Sequence, residues 1–277
     1  MEKLYGVIGD PISHSMSPLM HNTAFIHHGL NARYIAFHVT PERLSSAIEG
    51  LRGLNIGGMN VTIPHKVSVM KYLDEIDPLA KQIGAVNTIV NEKGKLVGYN
   101  TDGIGFVNSL KQLLQEKNLQ NQSILVIGAG GAAKAIYYSL IAEGGKNVDV
   151  TNRTLLHAED LIKEHSTSNA VTLLEAEQQL HTYDIIVNTT SVGMYPQTND
   201  VPMQLSRLKT GAIVSDIIYN PFETQLLKEA KKYGAVTQNG INMFVFQGAL
   251  AFEKWTGIYP DIETMKSVIK KKLGGVS

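Results

Sequence analysis

The segment Gly58-Met59-Asn60-Val61-Thr62-Ile63-Pro64-His65-Lys66 places an amide, a hydroxyl and an ammonium around a proline. The apolar run ahead of it, Leu54 to Val61, reads as a short buried strand. Pro64 cannot continue a central strand, because it lacks an N–H and its φ is fixed. The chain therefore leaves a sheet here, with Asn60, Thr62 and Lys66 at the carboxyl end of a strand. Ligands of open α/β sheets bind at that edge. A solvated lysine in an ordinary turn is the plainer reading of the same residues. Two other segments bear on it. Ser13-His14-Ser15-Met16-Ser17-Pro18 follows the apolar run Leu4–Gly9. Pro18 suits the first turn of a helix and Ser17 its N-cap. Ser13, Ser15 and Ser17 also gather hydroxyls beside a helix N-terminus, where a small carboxylate is favoured. Asn100-Thr101-Asp102-Gly103 is the third segment. Asp102 either caps a helix that starts near Gly103 or stands beside Lys66 and fixes its charge.

Farther along, Ser123–Ile127 is an apolar strand run that leads directly into Gly128-Ala129-Gly130-Gly131-Ala132-Ala133. Gly128 allows a tight turn, and Gly130 lets a pyrophosphate reach the backbone at a helix N-terminus. Ala133 replaces the third glycine and stays small enough for close strand–helix packing. A strand before and a helix after is the context that makes such a turn a dinucleotide site. NAD sites offer a carboxylate to the ribose 2′-OH at the end of the next strand. Here that place holds Asn152-Arg153-Thr154. Arg153 offers a charge-assisted grip on a 2′-phosphate, so the coenzyme expected is NADP. Asp149 falls too early, inside the strand, and reads as a solvated or edge residue.

With these segments quoted, the chain resembles the shikimate dehydrogenase family. The motifs run in order: Gly9-x-Pro11-Ile12-x-His14-Ser15-x-Ser17-Pro18-x-x-His21-Asn22, Asn60-Val61-Thr62-x-Pro64-x-Lys66, Gly84-Ala85-Val86-Asn87-Thr88 and Asn100-Thr101-Asp102-Gly103. They continue through the Gly-rich turn, Asn152-Arg153-Thr154, Asn188-x-Thr190-x-x-Gly193-Met194 and Asp216-x-x-Tyr219-x-Pro221-x-x-Thr224-x-Leu226-Leu227, to Gly240-x-x-Met243-x-x-x-Gln247. Lys134 and Phe244 stand where the family commonly has Arg and Leu, which bears on coenzyme affinity and on packing of the following helix.

The resemblance implies reversible reduction of 3-dehydroshikimate to shikimate with NADPH. Lys66 would be the proton donor, and the base in reverse, paired with Asp102 as one unit. It implies that Ser15, Ser17 and Tyr219 take the substrate carboxylate, and that Thr62, Asn87, Asp102 and Gln247 take its hydroxyls. Gly128, Ala129, Gly130, Gly131, Ala132, Asn152, Arg153 and Thr154 would hold NADP. Thr190, Gly193, Met194, Ile217 and Gly240 would lie on the nicotinamide side, although Met194 and Ile217 also read as plain core. Rival readings are a quinate/shikimate dehydrogenase tolerant of NAD, a folate-pathway dehydrogenase of similar build, and an NADP-sensing module without catalysis. Asn152-Arg153-Thr154 argues against the first. Ser15 and Ser17 together with Asp102 argue against the second, and Lys66 with Asp102 against the third.

The elements that would position these groups alternate. Strand Leu4–Gly9, helix Pro18–Leu30, strand Arg33–Val39, helix Pro41–Leu54 capped by Thr40, and strand Ile56–Val61 come first. A short helix near Lys66–Leu73 follows. Asn91-Glu92-Lys93-Gly94 turns Ala85–Asn91 back onto Lys95–Tyr99, which puts an antiparallel piece in a mixed sheet. Helix Ile104–Leu114 leads to a polar stretch, and a second block begins. Strands Ile124–Ile127, Val148–Thr151, Asp184–Asn188 and Ala212–Ile217 alternate with helical patterns, so a parallel sheet is expected. Helices Gly240–Trp255 and Ile262–Leu273 close the chain. Gln247 lies seven positions after Gly240, two turns along one face. The expected architecture is α/β. A mixed-sheet substrate domain, residues 1–103 with 240–277 packing back, joins a Rossmann-type NADP-binding domain, residues 104–239, and the active site lies in the cleft between them.

Composition sets limits. The 277 residues suit two domains, 43% are apolar and 18% charged, and the formal net charge is +0. No electrostatic hold on nucleic acid or an anionic membrane is expected. Cysteine is absent, which rules out disulfides and thiolate metal sites and fits a reducing, cytoplasmic setting. The 9 histidines are scattered, without zinc-protease spacing, and no metal is expected. His14 and His65 read as hydrogen-bonding loop residues. His27 and His28 are neighbours that should not face the same way on a helix. The N-terminal apolar run Leu4–Ile8 is too short for a signal h-region, and no segment reaches the length of a membrane span. The expected partners are small molecules, and the expected state is a monomer or homodimer.

Overall fold

The computed structural model describes residues 2–115 and 118–274. The chain divides into two compact units, Met1–Gly105 with Phe244–Ser277, and Phe106–Met243. The first unit runs β1 (Lys3–Gly9), α1 (Ser17–His27), β2 (Ala32–His38), α2 (Leu44–Gly53), β3 (Gly58–Val61), β4 (Glu75–Ile76), α3 (Pro78–Ile83), β5 (Thr88–Glu92) and β6 (Lys95–Tyr99). Helix α4 (Asp102–Leu114) follows. Among the described residues the sheet order is β2-β1-β3-β5-β6-β4. β1 is parallel to β2 and β3, while β5 is antiparallel to both β3 and β6. The mixed sheet is therefore as expected.

Strand alternation sorts the residues of β1 onto two faces. Ile8 joins Met59, Val61, Ile89 and Leu96 from the sheet with Leu44, Ile48 and Leu51 of α2 and Ala80 of α3. Tyr5 faces the other way, into an aromatic layer with Phe25 and Trp255 at ring separations of 5.4 and 5.2 Å. That layer is supplied by α1 and by a later helix, Ile241–Thr256. Gly58 makes room for it, since a Cβ there would lie 2.2 Å from Trp255 Nε1. The indole N–H instead donates to Ile89 O at 2.9 Å.

The second unit contains β7 (Ser123–Ile127), α5 (Gly131–Ala142), β8 (Asn147–Thr151), α6 (Leu155–Ile162), β9 (Ala170–Val171), α7 (Leu173–Gln178), β10 (Ile185–Asn188), β11 (Ile213–Asp216), α8 (Gln225–Lys232) and β12 (Val236–Gln238). Helices α9 (Ile241–Thr256) and α10 (Ile262–Lys272) end the described chain. The sheet order is β12-β11-β10-β7-β8-β9, with every pairing parallel. Strand order reverses at β7, which carries the Gly-rich turn at its carboxyl end. Parallel strands covered on both faces read as unbroken apolar runs, and β7 and β10 do so.

Several sequence expectations need correction. Leu54 is 75% exposed and Asn55 has φ +51°, so the run before Gly58 ends α2 and β3 is only four residues long. Pro41–Arg43 form a 3₁₀ turn ahead of α2, and Thr40 makes no side-chain cap bond to it. The short helix expected near Lys66–Leu73 is present as a 3₁₀ helix, Ser68–Tyr72. β4 and α3 were not expected. Asp77 caps α3 by accepting from Leu79 N and Ala80 N, Pro78 opens it, and Gly84 closes it at φ +74°. Asp149 is partly exposed but not on an edge. β8 lies between β7 and β9, and the Asp149 carboxylate accepts from Asn169 N and Nδ2 and from the Tyr183 hydroxyl. His27 and His28 do meet, edge to face at 5.1 Å, because His28 lies past the last helical residue.

Candidate active site

Lys66 sits on the loop after β3, where its carbonyl accepts from Val86 N at 2.8 Å. The neighbouring His65 is buried and its Nε2 bonds Val39 O at 2.6 Å, so the loop is tied to the end of β2. Lys66 Nζ donates to Asp102 Oδ2 at 2.7 Å. Asp102 is the first residue of α4, whose free N–H groups and dipole suit a carboxylate. Its backbone N–H donates to Asn100 Oδ1 at 3.1 Å. The other carboxylate oxygen, Oδ1, accepts from Asn87 Nδ2 at 2.8 Å. Side-chain exposures of 32% for Lys66 and 16% for Asp102 leave the pair open to a ligand on one side.

Asn60 is the exception among the residues of this strand end. Its Oδ1 accepts from the Tyr34 hydroxyl and its Nδ2 donates to Asn87 O and Thr88 Oγ1, so it faces the core and not a ligand. Thr62 remains half-buried beside it, its methyl packed where a Cβ on Gly9 would fall, 2.6 Å away.

Ser17 is not an N-cap. Met16 holds that position, and Ser17 is the first helical residue, 9% exposed. It is Ser15 whose hydroxyl oxygen accepts from Ser17 N, at 3.3 Å. Gln247 lies on α9, where a Cβ on Gly105 would fall 2.6 Å from its backbone N. Gly105 is one turn along α4 from Asp102, so this close crossing brings Gln247 to the carboxylate's end of α4. The structure thus gathers Thr62, Lys66, Asn87, Asp102 and Gln247 in the first unit. Ser15 and Ser17 lie there too, at the start of α1.

The second unit carries the residues expected from the sequence to hold the coenzyme. Gly128 has φ +111° and a Cβ there would fall 2.5 Å from Thr189 Oγ1, so only glycine fits. Gly130 caps α5, and a Cβ on Gly130 or Gly131 would meet nothing within 4 Å. The backbone at the start of this helix, from Ala129 to Ala132, is therefore open to an approaching diphosphate. Ala133 is fully buried, as close strand–helix packing requires. Asn152 Nδ2 donates to Thr154 O at 2.9 Å and so shapes the turn from which Arg153 projects, exposed. At the end of β10, Thr190 donates through both N and Oγ1 to Asn188 Oδ1. Asn188 in turn donates to Asp216, a buried carboxylate whose pKa burial raises. Gly240 N donates to Ile218 O, and a Cβ on Gly240 would lie 1.9 Å from Ile217 O, which brings Ile217 and Gly240 together. Met194 is 46% exposed and Ile217 half-buried, so neither is plain core. Tyr219 is half-buried, and burial raises its pKa and keeps the phenol protonated.

Matches to known proteins extend over this whole arrangement. Residues 7–89 match the shikimate dehydrogenase substrate binding domain, residues 109–219 the shikimate / quinate 5-dehydrogenase model, and residues 240–270 the shikimate 5'-dehydrogenase C-terminal domain. The shikimate dehydrogenase (NADP(+)) of Bacillus cytotoxicus is 58% identical over 99% of this chain and 100% of its own length. The chain belongs to the shikimate dehydrogenase family. Among solved structures, a shikimate dehydrogenase in complex with NADP+ shares 46% identity at a TM-score of 0.90, covering 98% of this chain and 96% of that one. A quinate dehydrogenase from Corynebacterium glutamicum in complex with NAD shares 30% identity at a TM-score of 0.88, covering 98% and 99%. The α/β fold of the shikimate dehydrogenases, a substrate-binding unit with a mixed sheet and a nucleotide-binding unit with a parallel one, is the fold seen here. Among the described residues no helix is long and apolar enough to cross a membrane, and no group of three or more His, Asp or Glu could hold a metal.

What sequence reading missed lies behind Asn87. Thr101 N and Oγ1 and Thr88 Oγ1 all donate to Asn87 Oδ1. Both threonines stand inside the quoted motifs, next to Asn87 and Asp102, but nothing in residue type alone separates a buried hydroxyl from an exposed one.

Proposed function

We propose that this chain catalyses the family's standard reaction, the reversible reduction of 3-dehydroshikimate to shikimate, with NADPH as the reductant. The observation that carries this reading is the Lys66–Asp102 contact of 2.7 Å, with Asn87 on the remaining carboxylate oxygen. The bound coenzyme supplies the hydride. Lys66, as the ammonium, donates a proton to the ketone oxygen as it gains charge, and as the amine it accepts one in reverse. Asp102 holds that ammonium in place and accepts from a ring hydroxyl. Thr62, Asn87 and Gln247 bind the remaining hydroxyls, and Ser15, Ser17 and Tyr219 bind the carboxylate. A site built of such groups rejects analogues that lack the matching hydroxyl. Gly128 to Ala132 hold the diphosphate, Arg153 with Asn152 and Thr154 the 2′-phosphate, and Thr190, Ile217 and Gly240 the nicotinamide side. Residues 1–103 with 240–277 thus serve the substrate and residues 104–239 the coenzyme, in a cytoplasmic biosynthetic enzyme feeding chorismate and the aromatic amino acids.

A second reading, quinate oxidation with NAD, is favoured by the likeness to the Corynebacterium quinate dehydrogenase. Asn152, where an NAD site offers an acid, counts against it. Steady-state oxidation of shikimate and of quinate, each with NADP+ and NAD+, separates the two. The highest kcat/KM is expected for shikimate with NADP+. A higher value for quinate with NAD+ would replace the first reading by the second, and no turnover of either acid would overturn both.

A further inference from the structure

Asp216 ends β11 and is 1% exposed, a buried carboxylate that the reaction described above leaves unused. Asn188 Nδ2 and Ile218 N donate to its Oδ1 at 3.1 and 3.0 Å, and the Thr224 hydroxyl donates to its Oδ2 at 2.8 Å. These donors are all neutral, and among the described residues no cation pairs with the carboxylate. Burying an anion in this way is costly. An apolar side chain would avoid the cost, but it could not bind donors from separate segments in fixed directions.

Three segments meet at this side chain. The first follows β10. Thr190 N, a backbone donor, lies 3.0 Å from Asn188 Oδ1, so that atom is the oxygen and the amide nitrogen faces Asp216. The Thr190 hydroxyl donates to the same oxygen at 2.7 Å and accepts from Val192 N at 3.2 Å. The second follows β11. Ile218 N holds the carboxylate directly, and Ile218 O accepts from Gly240 N at 2.9 Å. Gly240 is thereby set against Ile217 O, where a Cβ would lie 1.9 Å away. The third is the start of α8. Thr224 caps that helix by accepting from Leu227 N, and its Cβ lies 3.9 Å from where a Cβ on Gly193 would fall. The turn after β7 and the one after β8 hang on other bonds, Gly128 N to Thr151 O and Asn152 Nδ2 to Thr154 O.

We propose that Asp216 is a positioning residue for the coenzyme, its carboxylate setting Thr190, Ile217 and Gly240 so that the nicotinamide is held in one place. The inference rests on the reading above, which puts those three residues on the nicotinamide side. The carboxylate is too buried to touch a ligand and acts through the segments it joins. Residues for the diphosphate and the 2′-phosphate do not depend on it. The two halves of the coenzyme should therefore respond differently to its loss.

The test uses the full chain and two ligands, NADP+ and 2′-phospho-ADP-ribose, the same molecule without its nicotinamide. Asp216→Ala is expected to weaken NADP+ relative to the fragment by roughly tenfold, the scale of one lost hydrogen bond. Fragment sites titrated in each sample count the folded coenzyme unit. Per such site, kcat for shikimate oxidation should fall by roughly 10–100-fold, the scale of a small misplacement of reacting groups. Asp216→Asn keeps an acceptor oxygen for Asn188 and Ile218 and should recover most of both losses. If Asp216→Ala binds no fragment, Thr224→Val, which removes only the hydroxyl on Oδ2, decides alone, with a relative weakening of at least about threefold expected. A ratio of the two Kd values within about twofold of the unaltered chain's overturns the proposal. So does an Asp216→Asn protein no better than Asp216→Ala, since the acceptor oxygen is then not what matters. Gly240→Ala displaces Ile217 directly and separates two failures. If it shifts the ratio and Asp216→Ala does not, the proposal alone fails; if neither does, the nicotinamide-side reading fails with it. Should the unaltered chain not oxidise shikimate, the functional reading falls, and the Kd ratio still tests Asp216.

Discussion

His21 is fully buried in the aromatic layer of the first unit, and neither ring nitrogen has a hydrogen-bond partner among the described residues. It stacks on Tyr34 at 4.4 Å and lies 5.3 Å from Trp255. Burial lowers its pKa from 6.5 to about 3. The unfolded chain therefore binds a proton at His21 between about pH 6.5 and pH 3 that the folded chain refuses, and stability falls as pH falls through that window. By linkage, going from pH 7.5 to pH 5.0 removes about 2 kcal/mol through this one group. Stacking of an imidazolium on Tyr34 returns part of that, so the figure is an upper one. His21→Phe keeps a flat ring and removes the titration. Trp255 is the single tryptophan and lies in the same cluster, so its fluorescence during urea unfolding reports this unit directly. The unaltered chain should lose more stability than His21→Phe between pH 7.5 and 5.0, by up to about 2 kcal/mol. Whatever His21→Phe costs in packing cancels in that difference, and so do the other titrating groups. Equal losses in both proteins would refute the reasoning and mean that His21 is charged or hydrated in the fold.

Three further outcomes are expected. Lys66→Ala should lower kcat by roughly 10²–10⁴-fold with a much smaller change in shikimate binding, and an effect confined to KM would remove Lys66 from proton transfer. Arg153→Ala should raise KM for NADP+ by roughly 10–150-fold, the loss of one charge-assisted bond, and leave KM for NAD+ nearly unchanged. Equal weakening of both coenzymes would show that Arg153 does not read the 2′-phosphate. Gly105→Ala pushes a methyl into the Gln247 backbone, so it should destabilise the protein by about 1–3 kcal/mol and raise KM for shikimate. Unchanged values for both would mean that the α4–α9 crossing does not set Gln247.

Much of this was legible in the sequence because local chemistry and tertiary need agree. Pro64 ends a strand, glycines mark the turn after β7, and an asparagine followed by an arginine stands where NAD sites carry an acid. The errors came where tertiary packing decides. Asn60 looked like a ligand-facing amide, yet Tyr34, twenty-six positions earlier, turns it inward. Ser17 looked like a cap, but the helix starts one residue sooner and makes it the first helical residue. Asp149 looked like a residue without protein partners because Tyr183 and Asn169 are distant in the chain. Helix α3 carried its full signature, Asp77-Pro78 at the start and Gly84 at the end, and its brevity hid it.

The first unit is assembled from two stretches of chain separated by the whole second unit. Its aromatic layer contains Tyr5, His21, Phe25 and Tyr34 from the first stretch, and Phe252 and Trp255 from the last. During synthesis the early strands therefore emerge with one sheet face bare. At about 5–20 residues per second, they wait on the order of 10 s for α9 to leave the ribosome. The second unit is continuous and can complete its parallel sheet in that interval. The order of maturation would then run against the order of translation, with the part made first finished last. Until Trp255 docks, an uncovered aromatic sheet face is the nascent chain's most exposed point for aggregation or for capture by a chaperone.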